Sequence, residues 1–367
     1  MADAQEAQVT GLYRSIHAQP QAVRDLLADG EVVAQAAEKL ARADRIFVSG
    51  IGTSFHAATV GEYLLRYAGA DAWAVRSFEL VHYPRPLRKG DAVIVISHRG
   101  SKLHGMLAVE RALASGGVSI GITGKNSKMQ DMQFMLTTVE QDPSSTHSIS
   151  YTGALTRLAQ LAARLASLRG NAGQAQRLER GLGQIPGLME DILSREDDVR
   201  RVADEAAAYN RRLYYLGAGP NSVTGPEGAL KAKEAAYVTA EGFELEQGIH
   251  GPQVAFEQED LLIPISVRGP AQSRMADLLL ALHEIGSRAW LIGEAPSAET
   301  VALFEGERWQ AFSLGVYQSL PEELTPMLTV LPVQLLAEFL AAARGTNADS
   351  FRADQEPYKR AGQRFRI

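Results

Sequence analysis

The sequence predicts an α/β protein made of two similar domains in tandem, each a mostly parallel sheet between helices. Short, continuous apolar segments alternate with helical ones in both halves, which is typical of a parallel sheet covered on both faces. The segments 96–100 (ISHRG) and 265–269 (ISVRG) are similar and lie 169 residues apart, while Gly52 and Gly219 lie 167 residues apart. Near-constant spacing across several elements indicates a duplicated domain.

The first half shows the alternation most clearly. Residues before Ala41 are predicted to be helical. Glycine-rich or polar turns separate the strands from helices that end near Tyr67 and Ser115. The predicted strands are 45–48, 71–76, 92–96 and 118–123.

The second half repeats the pattern after a long helical stretch. The Ala/Leu/Arg-rich segment 153–208 predicts helices that join the two copies. Strands are predicted at 212–216, 263–266 and 289–292. The last residues, 347–367, are charged and lack periodicity, so composition alone favours a frayed terminus.

These patterns divide the chain into four parts. A helical N-terminal segment covers residues 1–40, and a first α/β domain with linker helices covers 41–195. A second α/β domain covers 196–345. A tail that we place near the active site covers 346–367.

The composition limits the classes of function. The 367 residues are 46% hydrophobic and 22% charged, as in an ordinary globular protein. A formal net charge of −6 argues against a protein that binds nucleic acid or an anionic membrane. The absence of cysteine excludes disulfides and thiolate nucleophiles. Because the N-terminus is acidic and polar and no run of about eighteen apolar residues is evident, we expect a soluble, cytoplasmic protein.

The most informative segment is 227–234 (EGALKAKE), which His250 follows sixteen residues later. On a helix, Glu227, Lys231 and Glu234 fall at i, i+4 and i+7 and therefore share one face. A carboxylate, an ammonium group and an imidazole close together are what proton transfer on a sugar requires. The alternative interpretation is a solvated helix face with an ordinary ion pair, followed by a loop histidine.

Two loops of the first half are candidates for binding an anion. Each follows a predicted strand and opens a helix, where free backbone N–H groups and the helix dipole favour negative charge. The loops contain Gly52, Thr53 and Ser54, and Ser97, His98, Arg99, Ser101 and Lys102. The two cations would add charge-assisted hydrogen bonds to a phosphate or sulfonate. Ser, Thr and Gly are also common at helix starts without any ligand, which is the competing interpretation.

Other classes of site are less favoured. The pairs Gly50-x-Gly52 and Gly217-x-Gly219 lack the third glycine of a dinucleotide site. The eight histidines have no spacing typical of metal ligands, so we expect no metal site.

These motifs resemble the sugar isomerase (SIS) domain family and, within it, the tandem isomerase half of the glutamine–fructose-6-phosphate aminotransferases. The likeness begins at residues 16–20 (IHAQP) and includes both loops. It is strongest at 227–234 and at 250–252 (HGP), and it ends at 345–349 (GTNAD). The resemblance implies two flavodoxin-like SIS domains, a homodimer with shared active sites, and no cofactor.

The resemblance also implies roles for individual residues. Glu234 matches the carboxylate that moves a proton between C1 and C2 of the open-chain sugar, and Glu227 matches a second carboxylate in the same pocket. His250 matches an imidazole that assists ring opening from the neighbouring subunit. The tail motif ending at Lys359 loosely resembles the family's Leu-Ala-Lys, which makes Lys359 a candidate sugar-contacting lysine. The expected substrate-binding residues are Gly52, Thr53, Ser54, Ser97, His98, Arg99, Ser101, Lys102, Ser145 and Lys231.

The chain departs from the family pattern at three places. The family's anion loop reads Ser-Gln-Ser-Gly-Glu-Thr, whereas here Arg99 replaces the second serine and Lys102 the threonine. The family's Ser-Thr-Lys segment is replaced by residues 145–149 (STHSI), which contain no lysine. The sequence has no cysteine for the nucleophile of a glutaminase, so we do not expect glutamine-dependent amination.

We therefore expect an aldose–ketose isomerase that acts on an anionic hexose through a cis-enediol. The two loop cations would leave open whether the anion is a phosphate or a sulfonate. One alternative is an amino-sugar 6-phosphate deaminase or deglycase, and another is a sugar-phosphate sensor without catalysis. Glu227, Glu234 and His250 argue against the sensor, because binding alone needs no acid/base groups.

Overall fold

The computed structural model describes residues 9–83, 86–208, 212–305 and 308–365 of the chain. Its first elements are helices, as expected for the region before Ala41. They are α1 (Gly11–His17), α2 (Gln19–Ala28) and α3 (Glu31–Leu40). Helices α2 and α3 pack on the first long linker helix.

Five parallel strands form the first sheet. They are β1 (Arg45–Gly50), β2 (Ala72–Arg76), β3 (Asp91–Ile96), β4 (Val118–Thr123) and β5 (Phe134–Thr137). The helices between the strands are α4 (Thr53–Tyr67), α5 (Ser77–His82) and α6 (Leu103–Ala114). The strand order is β2-β1-β3-β4-β5. Every residue of β3 is buried, as a continuous apolar run in a parallel sheet predicts.

Three helices connect the two halves. They are α7 (Ile149–Leu168), α8 (Ala172–Leu193) and α9 (Glu196–Ala208). Helix α7 packs on α4 and α8. The helical linker predicted from the Ala/Leu/Arg-rich composition is therefore confirmed.

The second half builds a second sheet of five parallel strands. They are β6 (Leu213–Gly217), β7 (Ala240–Glu244), β8 (Leu261–Ser266), β9 (Arg288–Gly293) and β10 (Trp309–Phe312). The helices between the strands are α10 (Thr224–Ala236), α11 (Leu245–Ile249), α12 (Gln272–Ile285) and α13 (Ala298–Ala302). The order β10-β9-β8-β6-β7, read from the other edge, repeats that of the first sheet. The prediction of two α/β domains with mostly parallel sheets is confirmed.

One ion pair recurs at the same place in both halves. Arg45, at the start of β1, binds both carboxylate oxygens of Asp91 at 2.8 and 2.6 Å. Arg212, just before β6, binds both oxygens of Asp260 at 2.7 and 2.9 Å. A bidentate pair has strict geometry, so its recurrence is strong physical evidence for the duplication inferred from spacing.

The chain ends in two further helices, α14 (Pro326–Arg344) and α15 (Glu356–Phe365). In the described part of the chain, the segment Glu322–Arg344 is long and apolar enough to cross a membrane. However, 89% of its most apolar window is buried inside the fold, and α14 packs on α9 and α10. In this fold the segment is therefore a buried core helix.

The sequence analysis missed some short elements. Strands β5, β7 and β10 each lie at an edge of a sheet and have only four or five residues. The expectation of a frayed terminus is wrong for residues 356–365, which form α15. Composition misses this helix because its side chains are polar and none of its residues is fully buried.

Candidate active site

A cavity of about 740 Å³ lies at the carboxyl edge of the first sheet. Residues at or just beyond the ends of four strands line it, among them Ile51, Ser97, Thr123 and Thr138. Helices α4, α6, α7, α10 and α15 and the tail segment before α15 supply further lining residues. The carboxyl ends of parallel strands are the usual ligand site of doubly wound sheets, and this volume suits a small molecule.

Most of the predicted site residues meet in this cavity. Those that line it are Gly52, Thr53, Ser54, Ser97, His98, Arg99, Lys102, Ser145, Glu234 and Lys359. Glu227 and Lys231 lie behind Glu234, with their side chains fully buried. Ser101 is exposed and does not line the cavity.

Helix α10 brings its three charged residues into one buried cluster. The Nζ atom of Lys231 lies 2.7 Å from Oε2 of Glu234 and 3.5 Å from Oε1 of Glu227. The predicted shared face is therefore present, but it is buried rather than solvated. The alternative of an ordinary surface ion pair is wrong, because the side chain of Lys231 is only 1% exposed. Buried charges are tolerated only when they are paired in this way.

Burial and mutual charge set the protonation of this cluster. Burial raises the pKa of Glu234, and Lys231 offsets that effect only in part. Burial also acts to raise the pKa of Glu227, but Lys231 and His56 outweigh it and the pKa is lowered. For Lys231, burial acts to lower the pKa, but the two glutamates outweigh it and the pKa is raised. The carboxylate that reaches the cavity is thus the one with increased proton affinity.

Glu227 also joins the two halves of the molecule. Its carboxylate accepts a hydrogen bond from Oγ1 of Thr53 at 3.1 Å and contacts Nδ1 of His56 at 2.5 Å. Both residues belong to the first turn of α4. The hydroxyl proton of Thr53 is therefore used within the fold, and the sequence analysis assigned no role to His56.

The loop after β3 brings two cations to the cavity. Arg99 and Lys102 both line it, and neither forms an ion pair with a carboxylate of the residues that the structure describes. Burial and the neighbouring Arg99 charge lower the pKa of Lys102. A bound anion would relieve this repulsion, since an opposite charge favours the ammonium form.

Two glycines shape the two loops that are candidates for binding an anion. Gly52 precedes α4 with φ +56° and ψ −130°, a conformation that side chains strongly disfavour. Gly100 has φ +60°, and a Cβ on it would lie 2.1 Å from the backbone nitrogen of Met129. Both positions therefore require glycine, which fixes the backbone beside the cavity.

A histidine that the sequence analysis did not single out also lines the cavity. His147 lies 3.7 Å from Asp142, measured from Nδ1 to Oδ2, and its side chain is 26% exposed. The side chain of Asp142 is fully buried. The signal in the sequence was the segment 145–149, where the family has a lysine. The sequence analysis assigns a role only to Ser145 in this segment.

The C-terminal tail covers part of the cavity. Asp349 accepts hydrogen bonds from the backbone N–H groups of Gly11 and Leu12 at 2.6 and 2.9 Å, and Ala348 accepts one from Thr146 at 2.7 Å. These bonds anchor the tail before α15, from which Lys359 reaches the cavity lining.

His250 is a predicted catalytic residue that does not line the cavity of its own chain. It follows α11, and its side chain is 74% exposed. Its Nε2 atom lies 3.1 Å from Glu246. Such a position agrees with a role in a neighbouring subunit, and that role stays a prediction.

Comparison with known proteins agrees with this geometry. Residues 39–166 match the family described as SIS domain. The glutamine–fructose-6-phosphate aminotransferase of Gloeobacter violaceus is 31% identical over 354 residues, which cover 92% of this chain and 56% of the relative. The chain thus spans little more than half the length of the curated relatives it matches.

Solved structures share the fold. The C-terminal domain of glucosamine-fructose-6-phosphate aminotransferase from Francisella tularensis superposes with a TM-score of 0.83 and 19% identity, covering 95% of this chain and 99% of that one. Tagatose-6-phosphate ketose/aldose isomerase from Escherichia coli gives 0.77 and 20% identity, covering 95% and 97%. At these identities the likeness establishes the fold and no more.

Proposed function

We propose that this protein, which belongs to the SIS domain family, is an aldose–ketose isomerase acting on an anionic hexose. The observation that carries the proposal is one cavity that contains both a proton-transfer group and an anion site. Glu234 is the only acidic residue among the described residues that line the cavity. Arg99 and Lys102, which both come from the loop after β3, supply two cations.

Glu234 would carry the proton between the two carbons. Its carboxylate would take the proton from C2 of an open-chain aldose and return it to C1 of the cis-enediol. The raised pKa of Glu234 suits this role, because a carboxylate of higher proton affinity is a stronger base near neutral pH. Lys231, 2.7 Å away, would keep the group oriented toward the cavity.

The anion would bind where two helices begin. Helix α4 begins at Thr53 and α6 at Leu103, and the residues before both helices line the cavity. Free N–H groups at helix N-termini and the Arg99 guanidinium together suit a phosphate or a sulfonate. The loop has two cations where the family pattern has hydroxyls. The proposal therefore leaves open whether the anion is a phosphate or a sulfonate.

The remaining parts of the proposal come from the resemblance to the SIS domain family. His250 would assist ring opening in the cavity of a neighbouring subunit, so that a homodimer is the active form. Its exposed position supports this arrangement, because a residue that acts in another subunit must protrude. We further propose that no cofactor takes part and that the protein acts in the cytoplasm.

Two alternatives use the same cavity. An amino-sugar 6-phosphate deaminase or deglycase would need the same C1–C2 proton transfer and would also expel an amine. A sensor would need only the anion loop, and a buried acid/base cluster would then cost stability without any return in binding.

An assay panel separates the three functions. Hexose 6-phosphates, amino-sugar 6-phosphates and hexose 6-sulfonates are incubated with the protein, and isomerised sugar and released ammonia are both measured. We expect isomerised sugar without ammonia for at least one hexose. Ammonia release would establish the deaminase, and binding of a panel sugar without either product would establish the sensor.

A further inference from the structure

We propose that His147, in the same chain as Glu234, is the second proton-transfer group of the reaction, serving the sugar oxygens while Glu234 serves the carbons. The inference rests on the proposed isomerisation. It assigns a catalytic role to a position where the family pattern has a lysine and this chain has an imidazole.

The position of His147 is the first argument. It lies in the segment between β5 and α7, and it lines the cavity together with Glu234. The two residues are close enough for the charge of His147 to lower the proton affinity of Glu234. A proton-transfer group for the oxygens must share the cavity with the group that serves the carbons, and His147 meets this requirement.

A buried carboxylate stands behind the imidazole. Asp142 lies 3.7 Å from Nδ1 of His147 and is itself held by Oγ of Ser15 at 2.6 Å and by the backbone N–H of Ser148 at 2.9 Å. Burial acts to raise the pKa of Asp142, but His147, Ser15 and Ser148 outweigh it and lower the pKa to about 2. A charged carboxylate beside an imidazole helps to orient the ring.

His98, the imidazole that packs against His147, cannot do the same work. The rings of His98 and His147 meet edge to face, with centroids 5.7 Å apart. Burial, followed by the charge of His147, lowers the pKa of His98 to about 4, so His98 is neutral near pH 7. Its Nε2 accepts a hydrogen bond from the backbone N–H of Asp142 at 3.2 Å. His147 is therefore the imidazole of this pair that is free to exchange a proton with a ligand.

The groups around His147 define the setting for any pH dependence. Asp142 lies behind the ring, and Oγ of Ser150 lies 3.4 Å from its Nδ1. The ring of His98 packs against it in an edge-to-face arrangement. Glu234 approaches from α10, and the cations of the loop after β3 line the same cavity.

The proton transfers balance with two groups. Glu234 takes the proton from C2 while protonated His147 gives its proton to O1, which forms the enediol and leaves His147 neutral. Glu234 then returns its proton to C1 while His147 takes the proton from O2, which becomes the ketose carbonyl. Both side chains end in the state in which they began, and no oxidant or other reactant is needed.

The competing interpretation is structural: in it, His147 serves only as a packing partner of Asp142 and His98. The test uses His147→Gln, His147→Ala and, as a matched control, His283→Gln, since His283 is exposed on α12 outside the cavity. Steady-state kinetics are measured on the hexose 6-phosphates of the panel, with the melting temperature of each variant as a check on folding.

We expect kcat of His147→Gln to fall by about 10²–10⁴-fold with KM changed far less, while His283→Gln matches the wild type. Added imidazole should restore part of the activity of His147→Ala in proportion to its concentration, which loss of a packing contact would not permit. Wild-type kinetics in His147→Gln, or a folded His147→Ala that imidazole does not restore, would overturn the role. If the wild-type protein converts no panel sugar, the proposed function fails first and this role fails with it.

Discussion

The two halves of the molecule share a strand order and an Arg–Asp pair, yet the corresponding edges of their sheets differ in the side chains that they carry. In the first half, the loop after β3 places Arg99 and Lys102 at the cavity. In the second half, the loop after β8 meets the side chain of Glu322. A Cβ on Gly269 would lie 2.5 Å from Oε2 of Glu322, and one on Gly219 would lie 3.0 Å from Oε1. The carboxyl group of Glu322 therefore occupies the second edge, whereas the corresponding loop of the first half presents two cations to its cavity.

The comparison shows that both halves have the same fold but contribute different side chains to the candidate site. The first half contributes the anion loop, and the second contributes the ion cluster of α10. The two contributions meet where Glu227 of α10 contacts Thr53 and His56 of α4. The site thus needs both halves, although its cavity belongs to the first sheet.

The largest expected effect comes from Glu234, the carboxylate of the second half that lines the cavity of the first. Glu234→Gln should lower turnover by about 10²–10⁴-fold or more while binding of the sugar persists, because the amide keeps the shape and cannot accept the proton. Turnover is followed by product formation, and proton transfer by deuterium uptake at C2 from heavy water.

Near-normal deuterium uptake in this variant would remove Glu234 from the mechanism. In the wild type, the raised pKa of Glu234 places the acidic limb of the rate profile above the range of an ordinary glutamate. Activity should rise as pH increases through that pKa, because the carboxylate form is the base.

Shared sites between subunits can be tested by mixing variants that are inactive alone. His250→Ala mixed with Glu234→Gln should regain partial activity, because one site of each hybrid dimer then has both groups intact. His147→Gln should regain activity with His250→Ala but not with Glu234→Gln, since His147 and Glu234 belong to one cavity. Activity of each mixture is measured after subunit exchange has been verified. Exchange without any regained activity would place His250 in its own subunit or outside the mechanism.

The loops after β3 and β8 offer a matched pair of arginines, Arg99 and Arg268. Arg99→Ser should weaken binding of an anionic hexose about tenfold, because charge-assisted hydrogen bonds contribute more than neutral ones. Arg268 occupies the equivalent place in the second half and is absent from the cavity, so Arg268→Ser should leave the affinity unchanged. Calorimetric titration at several salt concentrations measures both. Equal affinity and equal salt dependence in wild type and Arg99→Ser would end the claim that this loop selects the substrate.

The sequence predicts the central strands of both sheets and the loops that follow them. Central strands such as β3 and β8 are buried on both faces, so their apolar runs are uninterrupted and their following loops are recognisable. Edge strands such as β7 are short and half exposed, which removes that signal. The spacing within 227–234 predicted one helix face, but not its burial against α4 and α14. His147 could not be assigned from spacing, because its partners Asp142 and Glu234 come together only in the folded chain.

The smallest expected effect concerns the carboxylate at the second edge. Burial, and then the charge of Glu323, raise the pKa of Glu322 to about 7. Because the folded-state pKa is above the ordinary value of 4.5, the protonated form is favoured in the fold, and this stability is lost as pH rises through 7.

Glu322→Gln, which stays neutral, should therefore raise the melting temperature by a few degrees at pH 8 and have little effect at pH 5. The exposed Glu284→Gln on α12 serves as control and should have no effect at either pH. A Glu322→Gln protein that gains no stability at pH 8 would mean that the fold accommodates this carboxylate as an anion, and the stability cost assigned to its burial would be wrong.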